Sequence, residues 1–94
     1  MPELARFFGI IIQMKLESGV RHHSPHFHAY YNEHNAVYEI SWKTRVVRLA
    51  GDMPEKEERL ILAWAEIHKT ELNNTWDQLL LGTWDKNQKI EPLS

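Results

Sequence analysis

The sequence predicts an α+β domain, an antiparallel sheet of three to four strands packed on one long C-terminal helix, and three observations lead there. Residues 8 to 16 and 26 to 42 alternate apolar and polar side chains with the period of half-buried strands. Residues 54 to 81 instead place Leu60, Trp64, Ile67, His68, Leu72, Trp76, Leu79 and Leu80 three or four apart, the period of a helix. The aromatic face of the sheet needs cover, and the helix stripe is the only apolar surface large enough to supply it.

The first strand, residues 8–16, sets Ile10, Ile12, Met14 and Leu16 on one side and Ile11, Gln13 and Lys15 on the other. From Glu17 to Pro25 the chain gathers Gly, Ser and Pro into a loop, and Pro25 biases Ser24 toward extended geometry. A second strand covers 26–31, Asn32 to Asn35 form a turn, and a third strand covers 36–42, rich in aromatic and β-branched residues. With a loop of even length, Tyr31 faces Ala36, His28 faces Glu39 and His26 faces Ser41. Phe27, Ala29, Tyr31, Ala36, Tyr38, Ile40 and Trp42 then share one face, and His26, His28, Tyr30, Val37, Glu39 and Ser41 the other. An odd loop would mix aromatic and polar residues on both faces, so the clean separation favours the even register.

Lys43-Thr44 turns into a fourth strand, 45–49, which Gly51 ends. Asp52-Met53-Pro54-Glu55 then supplies an N-cap, a proline in the first turn and a capping-box glutamate. The stripe keeps one face as far as Gly82, despite Thr70 and Asn73-Asn74, so one helix is expected over 54–81. Trp84 and Ile90 are placed to dock the tail. With no internal repeat, low-complexity segment or linker, residues 1–94 are expected to form a single domain.

Composition narrows the function classes. Apolar residues make up 43% of the chain and charged residues 26%, the balance of a soluble globular protein. A net charge of −2 excludes wholesale coating of nucleic acid or anionic lipid. Without cysteine there is no disulfide framework, thiol nucleophile or cysteine zinc site, and a reducing compartment is tolerated. Apolar stretches such as Ile10 to Ile12 and Leu79 to Leu81 fall far short of the roughly 20 residues that span a bilayer. Met1-Pro2-Glu3-Leu4-Ala5-Arg6 lacks the order of a secretory signal. A cytoplasmic protein with no membrane association is the expectation.

Chemistry concentrates between His22 and Tyr31, where His22, His23, His26 and His28 are four of the chain's six histidines. Histidine titrates nearest neutrality, ligates metals and shuttles protons. On a strand, His26 and His28 project to one side with nearly 7 Å of rise between them, and Glu39 beside His28 would add a carboxylate. Two imidazoles and a carboxylate suit zinc or ferrous iron, which makes His26, His28 and Glu39 the candidate metal set. The same two histidines serve equally as acid and base in metal-free cleavage of RNA, with Arg6, Lys15, Arg21 or Arg48 stabilising phosphate charge. Lys15 and Arg48 fall on the histidine face with Tyr30 if Val47 and Leu49 point inward. The bland alternative is a set of hydrogen-bonded surface histidines. No cofactor is implied, a divalent metal being the alternative.

Other residues read structurally. His68 lies in the helix stripe as a core-edge histidine satisfied by a hydrogen bond, and His34 belongs to a turn. Trp64 and Trp76 at helical spacing are core side chains rather than a base-stacking platform. No nucleophile elbow, Gly-rich phosphate loop or Walker motif is present.

The residues also resemble a family of small prokaryotic proteins, domain of unknown function 4160. Met1-Pro2-Glu3-Leu4-Ala5-Arg6-Phe7-Phe8-Gly9-Ile10-Ile11-Ile12 is similar to the family's opening, and Pro25-His26-Phe27-His28-Ala29-Tyr30-Tyr31 to its P-H-F-H-x-x-Y signature. Further similarity lies in Leu62 to Leu72, in Trp76 and in the ending Lys89-Ile90-Glu91-Pro92-Leu93. Ser24, where a second proline is common, and the longer loop from Gly19 to His23 depart from the pattern, which leaves His26 and His28 as the better-supported pair. The family has no established activity. Its members often stand beside another small protein and are suspected of forming toxin–antitoxin-like pairs, so the resemblance implies a small partner protein and, secondarily, RNA. The expectation is therefore a small interaction module in a two-protein system. A ribonuclease-like enzyme using His26 and His28 is the first alternative, and a metal site at His26, His28 and Glu39 the second.

Overall fold

The computed structural model describes residues 3–15, 24–85 and 88–93. Its strands are β1 (Glu3–Phe7), β2 (Ile10–Gln13), β3 (His26–Tyr31), β4 (His34–Glu39) and β5 (Val47–Gly51), followed by the helices α1 (Glu55–Ile67) and α2 (Lys69–Leu81). The strands form an antiparallel meander in chain order. The α+β class stands, with five strands in place of three to four and two helices in place of one.

The additional strand is β1, whose register shifts between Glu3 and Ala5, so that Leu4 and Ala5 are both buried and the alternation that marks a strand is broken. Phe8 and Gly9, expected to open a strand, are instead its turn, with φ of 49° and 78°, the left-handed pair that a tight hairpin requires. Strand pairing in the expected segment 8–16 is thus confined to β2, and Leu16 and the loop residues 17–23 lie outside the described residues.

The β3–β4 loop has two residues, Asn32 and Glu33, with Asn32 at φ 52°. An even loop keeps the expected sorting of faces, but a two-residue loop moves every partner by two positions. Glu39 consequently stands opposite His26, not His28, and Val37 takes the place opposite His28. β4 starts at His34, earlier than the expected 36, and Trp42 lies beyond its end, 62% exposed rather than in the core.

Between β4 and β5 the pairing runs Ala36↔Gly51 and Val37↔Ala50, then Tyr38↔Arg48 and Glu39↔Val47. Leu49 is the extra residue of a β-bulge. It turns Arg48 onto the Tyr38 face while Ala50 stays on the Val37 face. Gly51, expected to end the strand, belongs to it.

Under the sheet, Phe27 stacks on Tyr38 with ring centroids 5.3 Å apart, and Trp64 packs edge-on to Phe27 and against Phe7 at 6.0 and 5.4 Å. Ile10, Ile12, Ile40, Ile61 and Leu72 complete the centre of the core. α1 starts after Pro54, which takes the N-cap position and has no side-chain acceptor, while the Asp52 carboxylate expected to cap the helix accepts from Nδ1 of His34 at 2.8 Å. Glu55, Glu57 and Glu58 occupy the first turn, where the helix dipole favours them.

The expected single helix breaks at His68, with φ −105° and ψ 22°. Unbroken, a helix over residues 55–81 would run about 40 Å; with the break, the molecule's longest dimension is 34 Å. After the break α2 reaches the end of the sheet, where Nδ2 of Asn73 donates to the carbonyl of Ile40 at 3.0 Å and Trp76 is buried. Ile67 and Leu80, assigned to the apolar stripe, are exposed. Beyond Gly82 the chain returns to β1: Ile90 is buried and its N–H donates to the carbonyl of Leu4 at 2.9 Å, and Lys89 Nζ donates to that of Glu3 at 2.7 Å. Trp64 Nε1 reaches the carbonyl of Glu91 at 2.8 Å. Ile90 thus docks the tail as expected, and Trp84 packs partly against the core.

Candidate functional site

Alternation along β3 turns His26, His28 and Tyr30 away from Phe27 and Ala29, which are buried. Gln13 of β2 stands opposite His28 and Ile11 opposite Tyr30. The His26 and His28 ring centroids are 5.6 Å apart, and the rings of His28 and Tyr30 lie nearly parallel at 6.4 Å. Nδ1 of His26 donates to the carbonyl of Ser24 at 2.9 Å, which leaves Nε2 as the nitrogen for any further chemistry. The helices nonetheless touch this face, because α2 reaches the sheet end and brings Trp76 to 4.9 Å from His26. The Nε2 atom of His28 is buried, as is Oε1 of Gln13.

Glu39 stands across from His26 on the same face, but the other candidates do not all join it. Among the described residues, no three His, Cys, Asp or Glu side chains stand together as a metal would need. Lys15 follows β2 two residues past Gln13 and is half-buried. Arg48 does not join the histidine face. The bulge at Leu49 turns it under the sheet, where Nε meets Oε1 of Glu58 at 2.9 Å and Nη1 donates to the carbonyl of Gly51 at 2.6 Å. The Tyr38 hydroxyl donates to the same Glu58 oxygen at 2.9 Å. Burial, then the Glu58 carboxylate, pushes the Tyr38 phenol well above its ordinary range, so it stays protonated as a donor.

Arg6 shares the histidine face through its pairing with Ile11 but is bonded to Glu3 at 2.8 Å. That hydrogen bond lowers the Glu3 carboxyl below the usual carboxylate range. His68 donates to Glu71 at 2.6 Å beside Trp64, the expected core-edge role. Arg21, His22 and His23 lie outside the described residues.

A second feature escaped the sequence pattern. The outer edge of β1 is covered by the segment carrying Ile90, whereas β5 pairs with β4 alone among the described residues and all five of its residues are exposed. A groove of about 360 Å³ runs beside it, walled by β5 and by Glu58 and Leu62 of α1. Val47 and Leu49, whose inward orientation was the condition for placing Arg48 on the histidine face, are 48% and 55% exposed. Nothing in Val47-Arg48-Leu49-Ala50 announces a bulge, and only Gly51 signals unusual backbone.

The family model described as Domain of unknown function (DUF4160) matches residues 9–77. The chain belongs to this family. No curated protein and no solved structure matches it. In this DUF4160 chain the matched span runs from the β1–β2 turn into α2 and includes both the histidine face and the β5 groove. β1 and the segment that covers it fall outside. Among the described residues no helix is long and apolar enough to cross a membrane.

Proposed function

We propose that this DUF4160 chain is a small protein-interaction module, one component of a two-protein regulatory or toxin–antitoxin-like system in a prokaryotic cytoplasm. The observation that carries this is the unequal treatment of the sheet edges. The chain covers β1 with its own segment, yet among the described residues β5 is left open beside a groove with Val47 and Leu49 exposed. Open, apolar strand edges invite pairing, and proteins ordinarily guard them. The suspected pairing of family members with a neighbouring small protein supplies the second component. Co-expression with the product of the adjacent gene should yield a complex that co-elutes in size-exclusion chromatography. Strictly separate elution at micromolar concentrations would remove the proposal.

Acid–base cleavage of RNA is the second proposal, favoured by one observation: the His26 and His28 rings share a face 5.6 Å apart. Wild-type protein should cleave RNA and His28→Ala should not. Equal behaviour of the two would dismiss it.

A further inference from the structure

We infer that the segment 88–93 is a displaceable strap: within its own chain it occupies a seat on the edge of β1 that takes an extended segment of the partner protein, a basic residue followed by an aliphatic one. The inference rests on the interaction-module proposal for the existence of a partner, and the resident segment states that partner's chemistry.

Three successive residues define the seat. Lys89 Nζ donates to the carbonyl of Glu3 at 2.7 Å, and the Ile90 N–H donates to the carbonyl of Leu4 at 2.9 Å while the Ile90 side chain is buried. The carbonyl of Glu91 then accepts from Trp64 Nε1 at 2.8 Å, and Glu91 is otherwise exposed. The pattern reads a cation, an aliphatic side chain and then any residue. It also selects peptide. Trp64 is fully buried, so its indole N–H needs an acceptor whenever Glu91 leaves, and a backbone carbonyl supplies one where an apolar small molecule would not.

The hold on the strap is light. Among the described residues, one backbone hydrogen bond joins 88–93 to β1, and of its side chains only Ile90 is buried, with Gln88, Lys89, Glu91 and Pro92 exposed. Ordering the whole segment for so few contacts leaves it able to open locally while the sheet stays folded. The strap also fills its seat incompletely: a cavity of about 210 Å³ lies beside Ile90, between Leu4 and the α2 residues Asn74 and Gln78. A segment that extends into this space gains contacts that the resident lacks. A second copy does not meet that condition, because exchanging 88–93 between copies reproduces the same contacts and forfeits the advantage of an attached ligand.

The test uses the full chain, isotopically labelled, and a synthetic peptide with the sequence of residues 88–93 and blocked ends. In the free chain the amide of Ile90 should exchange with solvent at least about a hundredfold faster than amides of the β3–β4 ladder; equal protection means that the strap leaves only on global unfolding and overturns the inference. Ile90→Ser loosens the strap and should bind the peptide at least about tenfold more tightly than wild type, with shifts at Leu4 and at the indole of Trp64. Lys89→Ala, at an exposed position, should change affinity in the same direction and serves where Ile90→Ser does not fold. A peptide with aspartate at the isoleucine position should not bind. Equal binding by wild type and every folded variant, binding by none of them, or shifts confined to the histidine face or β5 would each overturn the inference. The adjacent gene product separates the two levels: a complex no tighter with Ile90→Ser than with wild type overturns the strap and leaves the interaction module standing, whereas absence of any complex with either removes the module itself.

Discussion

Among the described glycines, Gly51 makes the closest backbone approach. Its φ is +84°, and a Cβ placed on it would lie 2.2 Å from the carbonyl oxygen of Asn35. Gly51→Ala therefore combines left-handed strain with a backbone clash, and chemical denaturation should show a loss of about 2–4 kcal/mol. Gly82, at φ +73° with open space around it, provides the contrast. Gly82→Ala bears only the strain, about 1–2 kcal/mol, and equal losses for the two would reject the clash. Tyr38 makes a pH prediction at the same scale. Its folded pKa lies above the unfolded value of about 10, so its contribution is complete below that pH and declines as pH rises toward the folded value. Tyr38→Phe keeps the stack on Phe27 and removes the titrating group. Thermal unfolding should show a smaller fall in melting temperature between pH 9 and about 11 for Tyr38→Phe than for wild type; parallel curves would contradict this. Of the candidate site, the pairing of His26 with His28 on one face was legible, because alternation alone decides it. The partner of Glu39 was not, since loops of two and four residues give the same faces with different neighbours.

At the scale of elements, what periodicity encodes was recovered and what breaks periodicity was lost. β3 and its aromatic face follow from strict alternation in Phe27, Ala29 and Tyr31. β1 and the outer half of β5 did not yield to the same test, because each contains a bulge that resets the count by one. The helix stripe was continuous in sequence through His68, and periodicity carries no signal of the break there. Asn73, an unpromising helix residue, marks where the second segment docks: its amide donates to the carbonyls of Ile40 and Lys69 at 3.0 and 2.9 Å. A buried polar group with both partners fixed sets the angle of α2 more narrowly than apolar contact alone.

For the whole molecule, the segment carrying Ile90 joins the two ends of the described chain across the β1 edge. Truncation after Asp85 would remove the buried Ile90, worth about 1.5–3 kcal/mol, together with the indole hydrogen bond of Trp64 to Glu91, worth about 1 kcal/mol. It would also leave the sheet open on both sides. Lower thermal stability and concentration-dependent association in sedimentation are expected, and a monomer of unchanged stability would argue against the role given to this segment. Sequence signals anticipated the docking of Ile90 but not its position along β1, which depends on contacts between residues at opposite ends of the chain.

The bulge at Leu49 has a consequence for how this strand tolerates changes in length. With Leu49 excised, Gly51, Ala50, Arg48 and Val47 would oppose Ala36, Val37, Tyr38 and Glu39 one to one, and each would keep the face it already occupies. Position 49 is therefore a natural indel site, where the strand gains or loses one residue without inverting its neighbours. The shorter form would be a straighter edge, better suited to stacking against its own copies.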